Sequence, residues 1–284
     1  MSRRQKTKKA AKDFERSMLP QTRRAIFFDV VKLQWRKLLL LALILFVSAF
    51  PLFLIAVYED TYILTAYEDP SVPQETIPAL IAPLHIFCAV LSTPGLVLFF
   101  LGLSGVIRVV RQLAWEENAM VFPDFLVGLQ QNWKQFVPMG LLFSLGYTVA
   151  KIGWHSALVT QAESVWVQGI ALGLLIFLIA PMVACSTVVI AVYNNNLCGN
   201  LKLAAYVYSK TPLKTVSSMF MAFGPSVVVW VIPHLQLHLI GSLPAIMVFI
   251  LGLLGWVLYT YNQLDKYYNA QQYPELVGKG INGQ

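Results

Sequence analysis

The chain has 284 residues, of which 57% are hydrophobic and only 12% are charged, and its formal net charge is +7. Soluble domains carry roughly a quarter charged residues, because their surfaces must face water. The composition therefore excludes an ordinary soluble enzyme, a disordered regulator and a small disulfide-bonded scaffold, and it indicates an integral membrane protein.

Six apolar stretches are long enough to cross a bilayer, whose hydrocarbon interior requires about 20 residues of helix. Helices are expected because backbone groups in hydrocarbon find hydrogen-bond partners only within the protein, and the alternating pattern of barrel strands is missing. The predicted fold is all-α, a polytopic bundle of about six transmembrane helices. The predicted spans cover residues 38–58, 79–107, 136–154, 166–193, 216–239 and 241–261. A turn near Pro233 or Pro244 must separate the last two spans; otherwise the count falls to five.

Basic residues flank the predicted spans on one side. More than half of them lie in an arm of residues 1–37, and nearly all the others lie in the connections after the second and fourth spans or in the tail, residues 262–284. The alternate connections carry acidic residues and no Lys or Arg. The positive-inside rule predicts that both termini and the two basic connections are cytoplasmic. The arm is expected to attract anionic lipid rather than nucleic acid, because it adjoins a membrane span.

The connection between the second and third spans has the pattern of two helices with a break between them. An apolar stripe continues out of the second span, stops at Pro123 and Asp124, and resumes at Phe125 with three- and four-residue spacing. Asp124 is well placed to cap the second helix, because its carboxylate can accept free backbone N–H groups. The pattern predicts a cytoplasmic helix–break–helix elbow, with Trp115 and Trp133 at headgroup depth.

Charged and aromatic residues of this elbow form a candidate docking surface for a partner. A solvated or salt-bridged elbow is the simpler interpretation, and docking is the alternative. Catalysis is not expected, because no Walker A loop, GxSxG elbow, HExxH helix or dinucleotide fingerprint occurs. The candidate docking residues are Arg108, Arg111, Glu116, Glu117, Asp124, Phe125, Asn132, Trp133 and Lys134.

A second candidate site lies towards the predicted outer face. Lys151 is the only basic residue inside a predicted span, roughly 22 Å from its start, where a lysine can extend its ammonium to the headgroups. Structural or interfacial histidines are the simpler interpretation, and the alternative is a vestibule that binds anions or responds to pH. His234 and His238 have a spacing that can chelate a metal, but no third ligand is near. The candidate vestibule residues are His85, Lys151, His155, His234 and His238.

Neither metal nor cofactor is predicted. The three cysteines, Cys88, Cys185 and Cys198, form no CxxC pair, and two of them lie in apolar spans. Reduced packing residues are therefore expected, with neither a disulfide nor a metal site.

Motifs in the elbow and the tail resemble those of a known family. The elbow motifs are Arg108-Val-Val-Arg111, Glu116-Glu117, Phe-Pro-Asp124-Phe125 and Gln131-Asn132-Trp133-Lys134; the others are Pro94-Gly95, Gly224-Pro225 and Tyr273-Pro274-Glu275. They are similar to the YesL family of bacterial membrane proteins, a domain of unknown function. Members often occur in sugar-uptake gene clusters beside ABC permeases, so the resemblance implies carbohydrate uptake across a bacterial plasma membrane. The family has no established catalytic residues to carry over.

Two functions follow as hypotheses. The first is a non-enzymatic accessory protein of ABC-type carbohydrate or glycan uptake, which binds permease subunits, ATPase subunits or another membrane partner through the elbow and the basic ends. Without a P-loop, the chain needs a partner for any ATP-driven work. The alternative is a transporter or channel in its own right, which requires a continuous polar cavity from the His/Lys vestibule to the membrane midplane.

Overall fold

A computed structural model describes residues 20–115, 117–160, 165–193, 195–232 and 234–281, with the backbone alone at 154–160, 165 and 167. Every regular element in these ranges is helical. The helices are α1 (Arg23–Leu33), α2 (Trp35–Glu68), α3 (Ile77–Ala114), α4 (Val121–Thr160), α5 (Val165–Leu174), α6 (Ala180–Val192), α7 (Leu197–Lys210), α8 (Pro212–Val231) and α9 (Leu235–Leu264). A π-helical turn, Leu175–Ile179, joins α5 to α6. Six helical segments are long and apolar enough to cross a membrane: α2, α3, α4, α5–α6, α8 and α9. The predicted all-α membrane bundle is confirmed.

The long helices continue well past the predicted spans. α4 has 40 residues, or about 60 Å at 1.5 Å per residue, roughly twice the thickness of the hydrocarbon interior. It begins at Val121, so the second limb of the predicted elbow is the first part of α4 itself. α2 likewise ends at Glu68 instead of near residue 58. The apolar stretches of the sequence therefore indicate the part of each helix that would lie in the hydrocarbon interior. They do not indicate where each helix begins and ends.

The last two spans are separate helices: α8 ends at Val231 and α9 begins at Leu235, and residue 233 between them lies outside the described residues. α8 and α9 pack along each other. His234 occupies the N-cap position of α9, and His238 lies in its first turn. These histidines therefore open the sixth span, and their predicted place near the end of the fifth is wrong. Pro244 lies inside α9 and does not end it.

The two ends of the bundle differ in charge. We call the end that carries α1, the tail and Arg108 the basic end, and the opposite end, with Glu59 and Glu68, the acidic end. The stretch of α2 from Lys37 to Glu59 is about 33 Å long, close to the ~30 Å of a hydrocarbon interior. Charged residues thus lie at both boundaries that a bilayer would have.

Apolar side chains fill the middle of the bundle. Two of its buried hydroxyl groups bond back to their own helices: Ser104 donates to the Leu101 carbonyl, and Ser186 donates to the Met182 carbonyl. The fully buried side chains of this layer include Leu41, Leu45, Phe136, Met139, Ile250 and Leu253. The described side chains therefore form a packed apolar layer between the two charged ends.

Candidate functional site

Five charged or titratable side chains on four helices meet at the acidic end. Lys151 Nζ donates to Glu59 Oε2 at 2.6 Å, and His85 Nδ1 lies 2.5 Å from Glu59 Oε1. Beside them, His238 Nδ1 lies 2.5 Å from Asp60 Oδ2. We call these five residues the acidic-end cluster. It joins α2 to α3, α4 and α9.

The cluster forms because two neighbouring acids of α2 face different helices. Successive residues of a helix point about 100° apart, so Glu59 reaches α3 and α4 while Asp60 reaches α9. Glu59 and Asp60 are each 7% exposed, and His238 is 3% exposed. Buried carboxylates are strongly destabilising unless they are paired and hydrogen-bonded, and here each one is.

His238 has one ring nitrogen without a partner. Its imidazole lies against Trp230, with ring centroids 6.0 Å apart, and its backbone carbonyl accepts the Ser242 hydroxyl. The Nδ1 atom faces Asp60, whereas the Nε2 atom is buried with no hydrogen-bond partner within the described part of the chain. When Nδ1 carries the proton, Nε2 is a buried lone pair that can accept a second one.

The arrangement is a network of ion pairs and hydrogen bonds that closes this end of the bundle. With both imidazoles neutral and the other groups ionised, the cluster carries one net negative charge. The described residues contain no group of three or more His, Cys, Asp or Glu side chains that could hold a metal ion.

The structure brings together three of the five predicted vestibule residues: His85, Lys151 and His238. His234 is exposed and occupies the N-cap position of the helix that carries His238, so the two do not lie on one unbroken helix. The side chain of His155 lies outside the described residues. Lys151 bonds to Glu59, a partner that the sequence analysis did not give it.

Sequence reasoning missed the two acids at the centre of the cluster. Glu59 and Asp60 come directly after the apolar residues of the first predicted span, so the sequence predicts that they begin an acidic outer connection. The segment after them, as far as Glu68, contains neither glycine nor proline. That absence of a helix breaker is the signal that α2 continues and can hold both acids against its neighbours.

The elbow has its break earlier than predicted. α3 ends at Ala114 and α4 begins at Val121, and Pro123 lies within the first turn of α4. Proline is tolerated there because a first-turn N–H has no partner within the helix. Asp124 lies inside the first turn of α4, not at its start as predicted, and its Oδ2 accepts the N–H of Met120, the residue before the helix, at 2.7 Å. Glu116 lies outside the described residues.

Most of the predicted docking residues are used inside the protein. Arg108 donates to the Gln131 side chain across the α3–α4 contact. Arg111 donates to the Ala191 carbonyl at 2.7 Å and lies 4.8 Å from the ring centroid of Trp115. Arg108 therefore joins the two limbs of the elbow, and Arg111 joins the elbow to α6, so both guanidinium groups have partners within the protein.

Two further candidate docking residues hold together the two limbs of the elbow, which are the end of α3 and the start of α4. Phe125 packs where α3 has Gly105, since a Cβ on that glycine would lie 2.4 Å from the phenyl ring. Asn132 Nδ2 lies 3.5 Å from the Ser104 carbonyl oxygen. The first part of α4 is thus a rigid limb along α3.

The tail closes over this elbow. Arg23 Nη2 donates to Asp265 Oδ2 at 2.7 Å, which ties α1 to the end of α9. Lys279 Nζ lies 3.5 Å from Glu117 Oε1 and 3.9 Å from the ring centroid of Trp115. Nearby, burial raises the pKa of the Tyr193 hydroxyl, which therefore stays neutral and donates to Asn269.

One face of the elbow limb is left uncovered. Phe122, Leu126 and Trp133 share a helical face at four- and seven-residue spacing, and they are 61%, 39% and 46% exposed. Lys134, also exposed, lies over the Trp133 ring. We call Phe122, Leu126 and Trp133 the elbow stripe.

The elbow stripe lies at the basic end, past the end of α6. Gln135 Nε2 donates to the Asn195 carbonyl at 2.9 Å, in the connection that follows α6. The helix from Gln135 back to Phe122 is about 20 Å long, so most of the stripe extends past the level at which α6 ends.

Comparison of the chain with family models, with curated proteins and with solved structures found no match. The predicted YesL membership therefore stays a prediction that rests on the motifs alone.

Proposed function

We propose that this chain is a non-enzymatic accessory protein that binds another membrane protein through the elbow stripe. One observation carries the proposal: an exposed apolar and aromatic face lies on a rigid limb at the basic end, past the level at which α6 ends. Exposed apolar patches of this kind mark interaction sites. Tryptophan is among the residues that contribute most to binding when a partner buries them.

Rigidity of the limb favours binding at this surface. Arg108 and Phe125 hold it against α3, and Asp124 bonds to the backbone just before its first turn. A surface that is already ordered loses less conformational entropy when a partner binds. The inward residues of the elbow thus support docking by positioning the stripe.

Two further parts of the proposal rest on the sequence. The positive-inside rule supports a cytoplasmic elbow and cytoplasmic termini. The resemblance to the YesL family supports a bacterial plasma membrane and a carbohydrate-uptake complex, in which the partner is a permease or ATPase subunit of an ABC transporter. The experiment below tests this partner class directly.

The test is co-purification in mild detergent with cross-linking, comparing Trp133→Ala and Phe122→Ala with the unsubstituted chain. We expect recovery of permease or ATPase subunits to fall at least tenfold in both variants. Phe87→Ala is the matched control, because Phe87 is an equally exposed aromatic residue within the α3 span. Recovery of the chain alone, or equal recovery with all three variants, would contradict the proposal.

The acidic-end cluster favours a second candidate, a transporter or channel with an outer ion-binding site. Its five titratable groups could take up protons or bind an ion at that boundary. The packed apolar layer counts against it, because conduction needs a polar path through the middle of the bundle. Proton flux into reconstituted vesicles that is abolished by His238→Gln would favour this candidate over the first.

A further inference from the structure

Two surface cavities at the basic end join into one groove. The first has a volume of about 640 Å³ and lies between α1 and the end of α9; the second, about 400 Å³, runs between α8 and α9. Phe27, Gly255 and Tyr259 line both of them. Along α9 the groove extends from Asn262 to Val248, about 21 Å at 1.5 Å per residue.

The groove is polar at one end and apolar at the other. Its polar end is lined by Thr22, Arg23, Arg24 and Asn262. Its inner part is lined by Met221, Ala222, Val248, Leu251, Gly252 and Trp256. Each leaflet of a bilayer contributes about 15 Å of hydrocarbon. The groove is therefore long enough to lead from the headgroup layer through the chains of one leaflet.

The polar end carries a positive charge that no acid of the described residues pairs with. Arg24 is exposed, lies over the Phe28 ring, and forms no ion pair within the described part of the chain. Arg23 is already paired with Asp265, so this acid is neutralised. The first turn of α1 contains no acidic residue. An occupant with an anionic group at this end would pair with Arg24.

We propose that this groove binds an anionic phospholipid, with its phosphate at Arg24 and an acyl chain between α8 and α9 beside Phe27 and Trp256. Basic pockets between transmembrane helices bind anionic headgroups, and a phospholipid joins such a group to an apolar chain. A helix from a second copy of this chain would fill the apolar part of the groove and leave Arg24 without an anion. A zwitterionic lipid would place its own cationic group beside Arg24, so its attraction to Arg24 would be weaker.

The test uses native mass spectrometry of the full chain in mild detergent, titrated with phosphatidylglycerol or with phosphatidylcholine. We expect one bound phosphatidylglycerol at concentrations where phosphatidylcholine is not retained. Arg24→Gln lowers the affinity for phosphatidylglycerol about fivefold, the effect of one basic residue at a membrane surface. Arg36→Gln is the matched control, because Arg36 is exposed and lies over the Trp35 ring, outside the groove.

Gly255→Leu tests the groove separately from its charge. A Cβ on Gly255 would meet Phe27 at an ordinary 3.8 Å, so a longer side chain can be placed in the space that both cavities share. We expect this variant to keep its fold, as judged by circular dichroism, and to lose phosphatidylglycerol. Equal retention of phosphatidylcholine, an equal effect of Arg24→Gln and Arg36→Gln, or full displacement by inorganic phosphate would overturn the proposal. A retained second copy of the chain in place of lipid would do so too.

Discussion

At the residue scale, the acidic-end cluster depends on Glu59, whose two carboxylate oxygens hold different partners. Lys151 and His85 reach it from α4 and α3, and no more than a small part of any of these side chains is exposed. A buried ion pair adds little net stability relative to apolar residues, but the loss of one partner leaves an uncompensated charge. Removing one partner of Glu59 is therefore expected to lower the free energy of unfolding more than replacing the whole ion pair with uncharged residues.

Lys151→Met removes the cation and leaves the carboxylate of Glu59 buried. We expect a loss of about 3 kcal/mol in the free energy of unfolding, at the lower end of the range for broken buried pairs. The double variant Glu59→Gln with Lys151→Met restores most of this loss, because no buried charge then lacks its partner. Thermal unfolding in mild detergent, followed by tryptophan fluorescence, measures both effects.

Lys202→Met is the control for this experiment, since Lys202 is exposed on α7 and has no salt bridge within the described residues. We expect its melting temperature to match that of the unsubstituted chain. If Lys151→Met behaves like Lys202→Met, or if the double variant is as unstable as Lys151→Met alone, the ion pair is not what stabilises this end.

Gly280 is a residue at which the tail closely approaches the end of α3. Its φ of +86° is in the left-handed region, and a Cβ there would lie 2.6 Å from the Ala114 carbonyl oxygen. In Gly280→Ala the conformation alone costs about 1–2 kcal/mol, so the tail is expected to separate from the elbow. Trypsin cleavage after Lys279, timed by mass spectrometry, should become about tenfold faster.

The control for the tail is Gly169→Ala, because a Cβ on this helical glycine would meet no atom within 4 Å. Its cleavage after Lys279 should keep the rate of the unsubstituted chain. An unchanged rate in Gly280→Ala would mean that the tail does not depend on this close approach.

At the scale of elements, the sequence predicts where helices cross an apolar layer better than where they end. The sequence predicts the six spans because hydrocarbon requires long apolar runs. It does not predict the end of α2, because two adjacent acids after an apolar run are typical of a loop. Only the contacts of Glu59 and Asp60 with α3, α4 and α9 show that both belong to the helix. Partners that are distant in the chain leave no trace in local composition.

The elbow shows the same distinction. The bond of Asp124 to the Met120 N–H joins residues four positions apart, and local sequence predicted that this carboxylate accepts a free N–H, although not from inside the first turn. The inward turn of Arg111 depends on the Ala191 carbonyl, 80 residues away, and local sequence could not predict it. The elbow stripe is predicted only in part. The sequence indicates Trp133 as a candidate, but it does not predict the exposed face that Trp133 shares with Phe122 and Leu126, because that face is defined by which side of α4 packs against α3.

Gly252 tests the contact between two elements, α8 and α9. A Cβ at this position would lie 1.8 Å from the Ala222 carbonyl oxygen, which is backbone and cannot rotate away. Gly252→Ala must therefore push the two helices apart, and we expect a loss of about 1–3 kcal/mol, as for an overpacked core. The melting temperature in mild detergent gives the measurement.

Gly224→Ala is the matched control in the same helix pair, since a Cβ on Gly224 would meet no atom within 4 Å. It should melt at or slightly above the temperature of the unsubstituted chain, because alanine favours helix over glycine. If the two variants have equal melting temperatures, α8 and α9 do not approach each other as closely as described.

At the scale of the whole molecule, an apolar layer separates two ends with different chemistry. The acidic end is closed by ion pairs between four helices, and the basic end carries the elbow stripe, the tail and the groove beside α1. Both proposed binding surfaces lie at the basic end. The positive-inside rule predicts that this end faces the cytoplasm, which is also the side on which an ATPase subunit would bind.

The native cysteines allow this orientation to be measured directly. Cys88 and Cys185 are buried, whereas Cys198 is exposed on α7 at the basic end. Gln74 is exposed in the connection between α2 and α3 at the acidic end. A membrane-impermeant maleimide on intact cells should label Gln74→Cys in a Cys198→Ser background, and should label native Cys198 only after permeabilisation. Labelling of Cys198 on intact cells, with Gln74→Cys protected, would contradict the account.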